Sequence, residues 1–254
     1  MELLSRASRL VRTVLVFKLF ILAMVGLALF SVVTLRRYSD RVSGPLLRWW
    51  GRVSLRLLGL TMEVQGARPF AARVPRVFIV NHLSTLDVVV ASAICPDAFS
   101  CVGKRELRWV FPFNVGWWSL RLYYIDRKNH ESALKTLDEA AADMVARGRT
   151  VMMAPEGTRS LDGRMGPFKK GAFHLALRAR LPIYPIVFAG LSEAMPKGAL
   201  VPRPGAIKVR FLPPVETRDW RPEELNARIA EIHGAMDRAY HELRDELGLP
   251  DLRA

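Results

Sequence analysis

Cysteine is nearly missing from this chain: Cys95 and Cys101 are the only two in 254 residues. They form no disulfide framework and lack the paired ligand spacing of a zinc site, so they read as reduced, buried and chemically idle, and no metal site is expected. Acidic residues are also scarce, 24 Asp and Glu against 38 Lys and Arg, which leaves a formal net charge of +14. Such an excess implies an anionic partner, which is nucleic acid, an acidic lipid surface or a phosphorylated substrate. No nucleic-acid recognition motif accompanies the charge, and the chain has no internal repeat and no low-complexity tract.

The position of the charge separates these partners. Residues 1–60 hold ten Lys and Arg against Glu2 and Asp40, so +8 of the +14 surrounds the most apolar stretch. Basic charge flanking an apolar run points to lipid headgroups and away from nucleic acid. Leu19 to Leu35 is an uncharged run of 17 residues, or 22 from Val14 with Lys18 allowed inside, close to the ~20 a helix needs to cross hydrocarbon. No small-residue cleavage pattern follows it, because Thr34-Leu35 leads directly into Arg36-Arg37, which argues against a cleaved signal peptide. After Ser43-Gly44-Pro45, residues 46–60 place Arg48, Arg52 and Arg56 on one helical face beside Trp49 and Trp50. That pattern predicts a basic amphipathic helix at the membrane interface, with an ordinary surface helix as the alternative. Residues 1–60 are therefore expected to form a membrane-anchoring helical segment and residues 61–254 a globular domain.

From about residue 61 short β-branched runs (62–66, 76–81, 99–103, 121–126, 150–154, 183–189, 206–212) alternate with helical stretches near 85–95, 130–148, 168–180 and 222–247. This alternation predicts an α/β fold with a largely parallel sheet flanked by helices. In such sheets chemistry gathers where strand carboxyl ends lead into helix N-termini.

Two loops of that kind carry reactive side chains. The apolar run Val77-Phe78-Ile79-Val80 ends in Asn81-His82, and Ser84 with Asp87 resembles a capping box that starts the next helix. Asp87 in the first helical turn can reach back to the imidazole, fix its tautomer and leave the other nitrogen as a base. By spacing alone, a structural histidine and a simple cap are the commoner reading. The second loop, Pro155-Glu156-Gly157-Thr158-Arg159-Ser160, breaks the strand before it and offers loop amides, a hydroxyl and a guanidinium, which suit a phosphate. By itself such a loop is more often a turn with a surface ion pair. Two such loops at strand ends in one domain favour a site.

Taken together these residues resemble the glycerolipid acyltransferase family that includes 1-acylglycerol-3-phosphate acyltransferases. Asn81-His82 with Asp87 matches its NHxxxxD motif, and Pro155 to Ser160 its PEGTRS motif. Tyr124-Ile125-Asp126-Arg127 is similar to its IDR block and Leu181-Pro182-Ile183-Tyr184-Pro185-Ile186 to its LPIxPV block, in the family's order, over roughly residues 60–215. Ala154 stands where an aromatic usually precedes Pro-Glu-Gly, and Leu120-Arg121-Leu122 lacks the glycine common before the IDR block. Both departures bear on the acceptor cleft and leave the reacting groups intact.

The resemblance implies transfer of a fatty acyl group from acyl-CoA or acyl carrier protein to the free sn-2 hydroxyl of 1-acylglycerol 3-phosphate, giving phosphatidic acid. His82 would be the general base and Asp87 its orienting carboxylate, with oxyanion donors from the helix N-terminus after Ser84. Glu156, Gly157, Thr158 and Arg159 would hold the glycerol and phosphate, with Arg127 and Lys104 adding positive field. No metal or organic cofactor is implied, the acyl thioester being a substrate. The implied location is the cytoplasmic face of a bacterial inner membrane, with anionic headgroups and lysophospholipid as partners and no nucleic acid. Another lyso-lipid acceptor, such as a lyso-ornithine lipid, is the rival substrate. A non-catalytic anchored protein that binds acidic lipids is the rival class, and it has no use for an oriented base.

Overall fold

The computed structural model describes residues 2–66, 74–111, 113–126 and 129–252. The helices are α1 Glu2–Val33, α2 Ser39–Leu58, α3 Asp87–Ile94, α4 Phe113–Leu120, α5 His130–Arg147, α6 Gly171–Ala179, α7 Leu191–Ala194 and α8 Leu225–Glu246. The strands are β1 Leu60–Gln65, β2 Arg76–Val80, β3 Phe99–Lys104, β4 Tyr123–Ile125, β5 Thr150–Met153, β6 Ile183–Ala189 and β7 Gly205–Phe211.

These seven strands form one sheet in the order β1-β7-β6-β2-β5-β3-β4. Every ladder is parallel except β6 with β7, so the expected largely parallel sheet holds, with β1 and β7 added as a pair running against the rest. β2 is buried along its whole length between β5 and β6, which is why it reads as an unbroken apolar run and not as an alternating one. Its Phe78 packs edge-on against Tyr184 of β6 and Phe211 of β7. The carboxyl end of this central strand lies between two paired neighbours, and His82 follows it by two residues.

The expected interfacial helix starts earlier and packs differently. α2 begins at Ser39, and Pro45 lies inside it although its missing N–H costs a helical hydrogen bond. Close packing compensates. A side chain on Gly44 would come within 2.9 Å of Pro96 O, and one on Gly51 within 2.4 Å of Ala93 N, so α2 touches α3 and its following loop backbone to backbone. Arg48 donates to Cys95 O at 3.0 Å and pairs with Asp97 at 2.8 Å. The placing of both tryptophans at the interface is corrected: Trp50 is buried, its indole N–H donates to Val16 O, and its ring lies 4.8 Å from that of Phe20. Trp49 stays exposed.

α1 contains the apolar run and lies lengthwise on the protein. Val16, Phe20, Ala23, Met24 and Leu27 make one buried stripe at helical spacing, packed on α2 and α4. Leu10, Val14, Phe17, Leu22, Leu29 and Val33 leave the opposite face apolar and exposed. The buried stripe joins the same hydrophobic cluster as the sheet, so the helical pair of residues 1–60 is packed onto the domain and is not a detached anchor.

Candidate active site

Asn81 is fully buried and extends the β2–β6 ladder with its side chain: its amide N–H donates to Phe188 O at 2.9 Å, and its Oδ1 accepts from Phe188 N at 2.8 Å. A side-chain amide that mimics a peptide lets β2 leave the sheet at a fixed place. His82 is delivered there, half-exposed, with Nδ1 2.6 Å from Asp87 Oδ2. The buried Asp87 carboxylate also accepts from Leu83 N at 3.0 Å and Ser84 N at 3.2 Å. Burial pushes this carboxyl above the usual Asp range, and the hydrogen bonds from His82, Ser84 and Leu83 oppose that shift. The expected pair is thus assembled, with Nδ1 engaged by Asp87 and Nε2 outside that contact.

The capping arrangement is only half of the expected box. Asp87 accepts from the Ser84 N–H, while Ser84 Oγ accepts from Leu86 N at 3.3 Å and donates to Met195 O at 2.7 Å. The amides of Leu83, Ser84, Leu86 and Asp87 are already engaged within the turn, so they are not offered to a substrate.

The second loop closes on the first through its backbone. Glu156 is buried; its Oε1 accepts from His82 N at 2.7 Å and its Oε2 from Gly166 N at 3.0 Å. Ser160 N donates to His82 O at 2.9 Å, so the His82 main chain is held on both sides by residues 156–160. Glu156 was expected to hold the acceptor, and here its two oxygens accept from main-chain amides. Its Oε1 ties it to the main chain of His82. Burial pushes Glu156 up as well, against the pull of the His82 and Gly166 amides.

Gly157 adopts the left-handed backbone at φ 71°, and a side chain there would meet Lys169 Nζ at 3.1 Å. Lys169 therefore brings an ammonium to this loop. Thr158 is exposed, and the Arg159 guanidinium reaches across to Thr85 Oγ1 at 2.5 Å, next to the His82 turn. Lys104 ends β3 at the same carboxyl edge, but it is exposed and paired with Glu106 at 3.4 Å, not turned toward His82 by any contact. Arg127 lies outside the described residues.

Two clefts meet these loops. One of 180 Å³ is almost wholly apolar and runs from Thr85, Leu86 and Met195 between α1 and α3 to Phe20 and Trp50. The other, of 470 Å³, opens beside Gly157, Ala154 and Lys169 at the ends of β3, β4 and β5. An oriented base, a guanidinium and an apolar slot within one loop cluster suit acyl transfer involving an amphiphile.

The site and the sheet define an acyltransferase, and residues 61–189 match the Acyltransferase family model; the chain belongs to that family. It is 36% identical over 194 residues to the mouse (Mus musculus) 1-acyl-sn-glycerol-3-phosphate acyltransferase alpha, an alignment covering 76% of this chain and 68% of the mouse protein. The coconut (Cocos nucifera) 1-acyl-sn-glycerol-3-phosphate acyltransferase is 34% identical over 183 residues, 72% of this chain and 59% of that one. The chain thus spans about two thirds or less of such relatives. The crystal structure of the 1-acyl-sn-glycerophosphate (LPA) acyltransferase PlsC from Thermotoga maritima shares the fold, with a TM-score of 0.76 at 20% identity over 94% of this chain and 97% of that one.

Proposed function

We propose that this protein acylates the sn-2 hydroxyl of 1-acylglycerol 3-phosphate to give phosphatidic acid. The observation that carries the reading is the 2.6 Å His82–Asp87 contact, with Arg159 held beside it by Thr85. His82 Nε2 takes the acceptor's hydroxyl proton as the oxygen attacks the thioester carbonyl, and Asp87 stabilises the imidazolium that forms. The C–S bond then breaks, the electron pair leaves on sulfur, and the proton on His82 is available to it. Arg159 and Lys169 supply positive charge for the acceptor phosphate, and the exposed Thr158 and the Gly157 turn line its path. Every proton and electron pair is assigned to His82, the acceptor and the thioester, so no metal or organic cofactor enters the reaction. The apolar slot between α1 and α3 suits an acyl chain. Relatives that carry the printed name of this activity support the acceptor. Acyl-CoA and acyl carrier protein are both retained as donors.

The placement of α1 supports a one-leaflet membrane site. Its exposed apolar face runs about 35 Å from Leu10 to Val33, parallel to the buried face that holds it on the domain. A helix lying along its own domain cannot stand across a bilayer with that domain in water. Lying flat, it keeps Arg6, Arg9 and Arg12 at one end and Arg36, Arg37 and Arg41 at the other on the same, cytoplasmic side of a bacterial inner membrane, as the positive-inside rule favours. Purified protein assayed with a panel of lyso-lipids and with acyl-CoA or acyl carrier protein tests the acceptor and donor. Preference for a lyso-ornithine lipid over 1-acylglycerol 3-phosphate would overturn the phosphate reading.

A further inference from the structure

At the far end of α1 from the catalytic loops lies a second basic site. A pocket of 620 Å³ is lined by Arg36, Arg37, Asp40, Arg121 and Arg147 together with Val33 and Leu35. It sits by the amino end of β5, the edge of the sheet opposite to His82. From Thr13, on the wall of the apolar slot, to Val33 is about 30 Å of helix.

The carboxylates here are already committed. Arg149, fully buried, pairs with Asp40 at 2.5 Å and lies 3.6 Å from Asp143, and its other donors go to Phe99 O and Leu120 O. Asp143 is further shared by Arg147 and Tyr123. Among the described residues no carboxylate pairs with Arg36, Arg37 or Arg121, and the Nε groups of Arg36 and Arg121 are buried without a hydrogen-bond partner. Arg36 is held by stacking 4.7 Å over Trp118. Leu35, Arg36 and Arg121 all take the left-handed backbone, at φ 48°, 59° and 53°, a conformation that costs side-chain-bearing residues and here aims two arginines at one cavity. Burial lowers the Arg36 pKa, repulsion from Arg121, Arg149 and Arg147 lowers it further, and Asp40 opposes them in part.

A surplus of positive charge, four arginines against the Asp40 that Arg149 already engages, partly desolvated and fixed in place, is what a phosphate requires of its site. The rim fixes which phosphate. Val33 and Leu35 line the pocket with exposed apolar surface, Leu29 and Val32 carry that surface back along the last turn of α1, and the exposed Trp118 lies under Arg36. We infer that this pocket binds the phosphate of an anionic phospholipid headgroup, with its acyl chains lying against the end of α1, as a membrane-docking site separate from the catalytic one. The inference rests on the one-leaflet reading given above, and it adds a specific headgroup contact to a general apolar one.

The test is cosedimentation of the purified full chain with phosphatidylcholine vesicles, with and without phosphatidylglycerol, alongside thermal shifts in inorganic phosphate. Wild-type protein should favour the phosphatidylglycerol vesicles. Arg36→Gln/Arg121→Gln should lose about tenfold or more of that preference, since each charge-assisted contact is worth roughly a factor of ten. Its binding to plain phosphatidylcholine should be unchanged. Arg37→Gln, at an exposed position where folding is not at risk, should show a smaller loss of the same kind. Undiminished preference in Arg37→Gln and the double variant overturns the proposal. So does a wild type that binds both vesicles equally, which leaves the one-leaflet reading standing, whereas failure to bind either vesicle removes both. Saturation of the pocket by free phosphate, with no added affinity from vesicles, would assign it to a soluble phosphate ligand and overturn the lipid assignment.

Discussion

Replacing Glu156 by Gln separates a residue that positions the base from one that holds substrate. The carboxylate accepts two backbone N–H groups, from His82 at 2.7 Å and from Gly166 at 3.0 Å. An amide of the same shape has one oxygen to offer and sets its NH₂ against the other donor. One buried backbone N–H is then left unsatisfied, a loss of about 1–3 kcal/mol. If the His82 turn relaxes to relieve the clash, Nε2 moves away from the acceptor hydroxyl, and a displacement of ~1 Å is enough to cost about 100-fold in rate. The assay is steady-state kinetics of purified Glu156→Gln with both substrates varied. Turnover should fall while the Michaelis constant for the lyso-lipid stays near the wild-type value. A lyso-lipid Michaelis constant raised tenfold or more at unchanged turnover would mean that Glu156 touches the acceptor after all. The same variant has a stability signature. Glu156 titrates above its ordinary value of 4.5 because it is buried, so the native state holds its proton more tightly than the unfolded chain. Its contribution to stability is therefore fullest below the unfolded pKa and is lost as pH rises through the folded one. Glu156→Gln should remove that part of the melting-temperature profile.

Other expectations follow from single contacts. Arg159→Ala should raise the Michaelis constant for a phosphate-bearing acceptor, with a loss of roughly 1.5–3 kcal/mol, and should spare the acyl donor; equal damage to donor saturation would refute the clamp. Gly51→Ala forces a methyl to within 2.4 Å of Ala93 N and should destabilise by about 1–3 kcal/mol, read as a lowered melting temperature. In sealed vesicles, with Cys95 and Cys101 replaced, single cysteines at Ser5 and Arg37 should label from the same side, and labelling from opposite sides would establish a spanning helix.

Much of the frame was legible in the sequence because it is written in apolar periodicity. β2, β5 and β6 are continuous apolar runs ended by Asn81, Ala154-Pro155 and Gly190, and their bounds fall within a residue or two of those expected. The two loops were legible because their polar residues interrupt such runs. α4 was missed: Phe113 to Leu120 has no polar face to set a helical period. The start of α2 was missed because Pro45 is a local stop signal that close contact with α3 overrides. The orientation of Glu156 is a property of the folded turn. Nothing in Pro-Glu-Gly-Thr-Arg says which of its side chains points inward, and the buried one proved to be the carboxylate that grips the His82 amide. The β1–β7 pair running against the other strands was likewise invisible, because ladder direction depends on contacts between distant segments.

The most direct test of the chemistry is the turnover of purified, folded His82→Ala and Asp87→Asn with 1-acylglycerol 3-phosphate and acyl-CoA. Loss of the base should cost on the order of 10²–10⁴ in rate, and Asp87→Asn should approach the same loss because Nδ1 then loses the carboxylate 2.6 Å away that fixes its tautomer. Turnover by His82→Ala at the wild-type rate would contradict the mechanism outright.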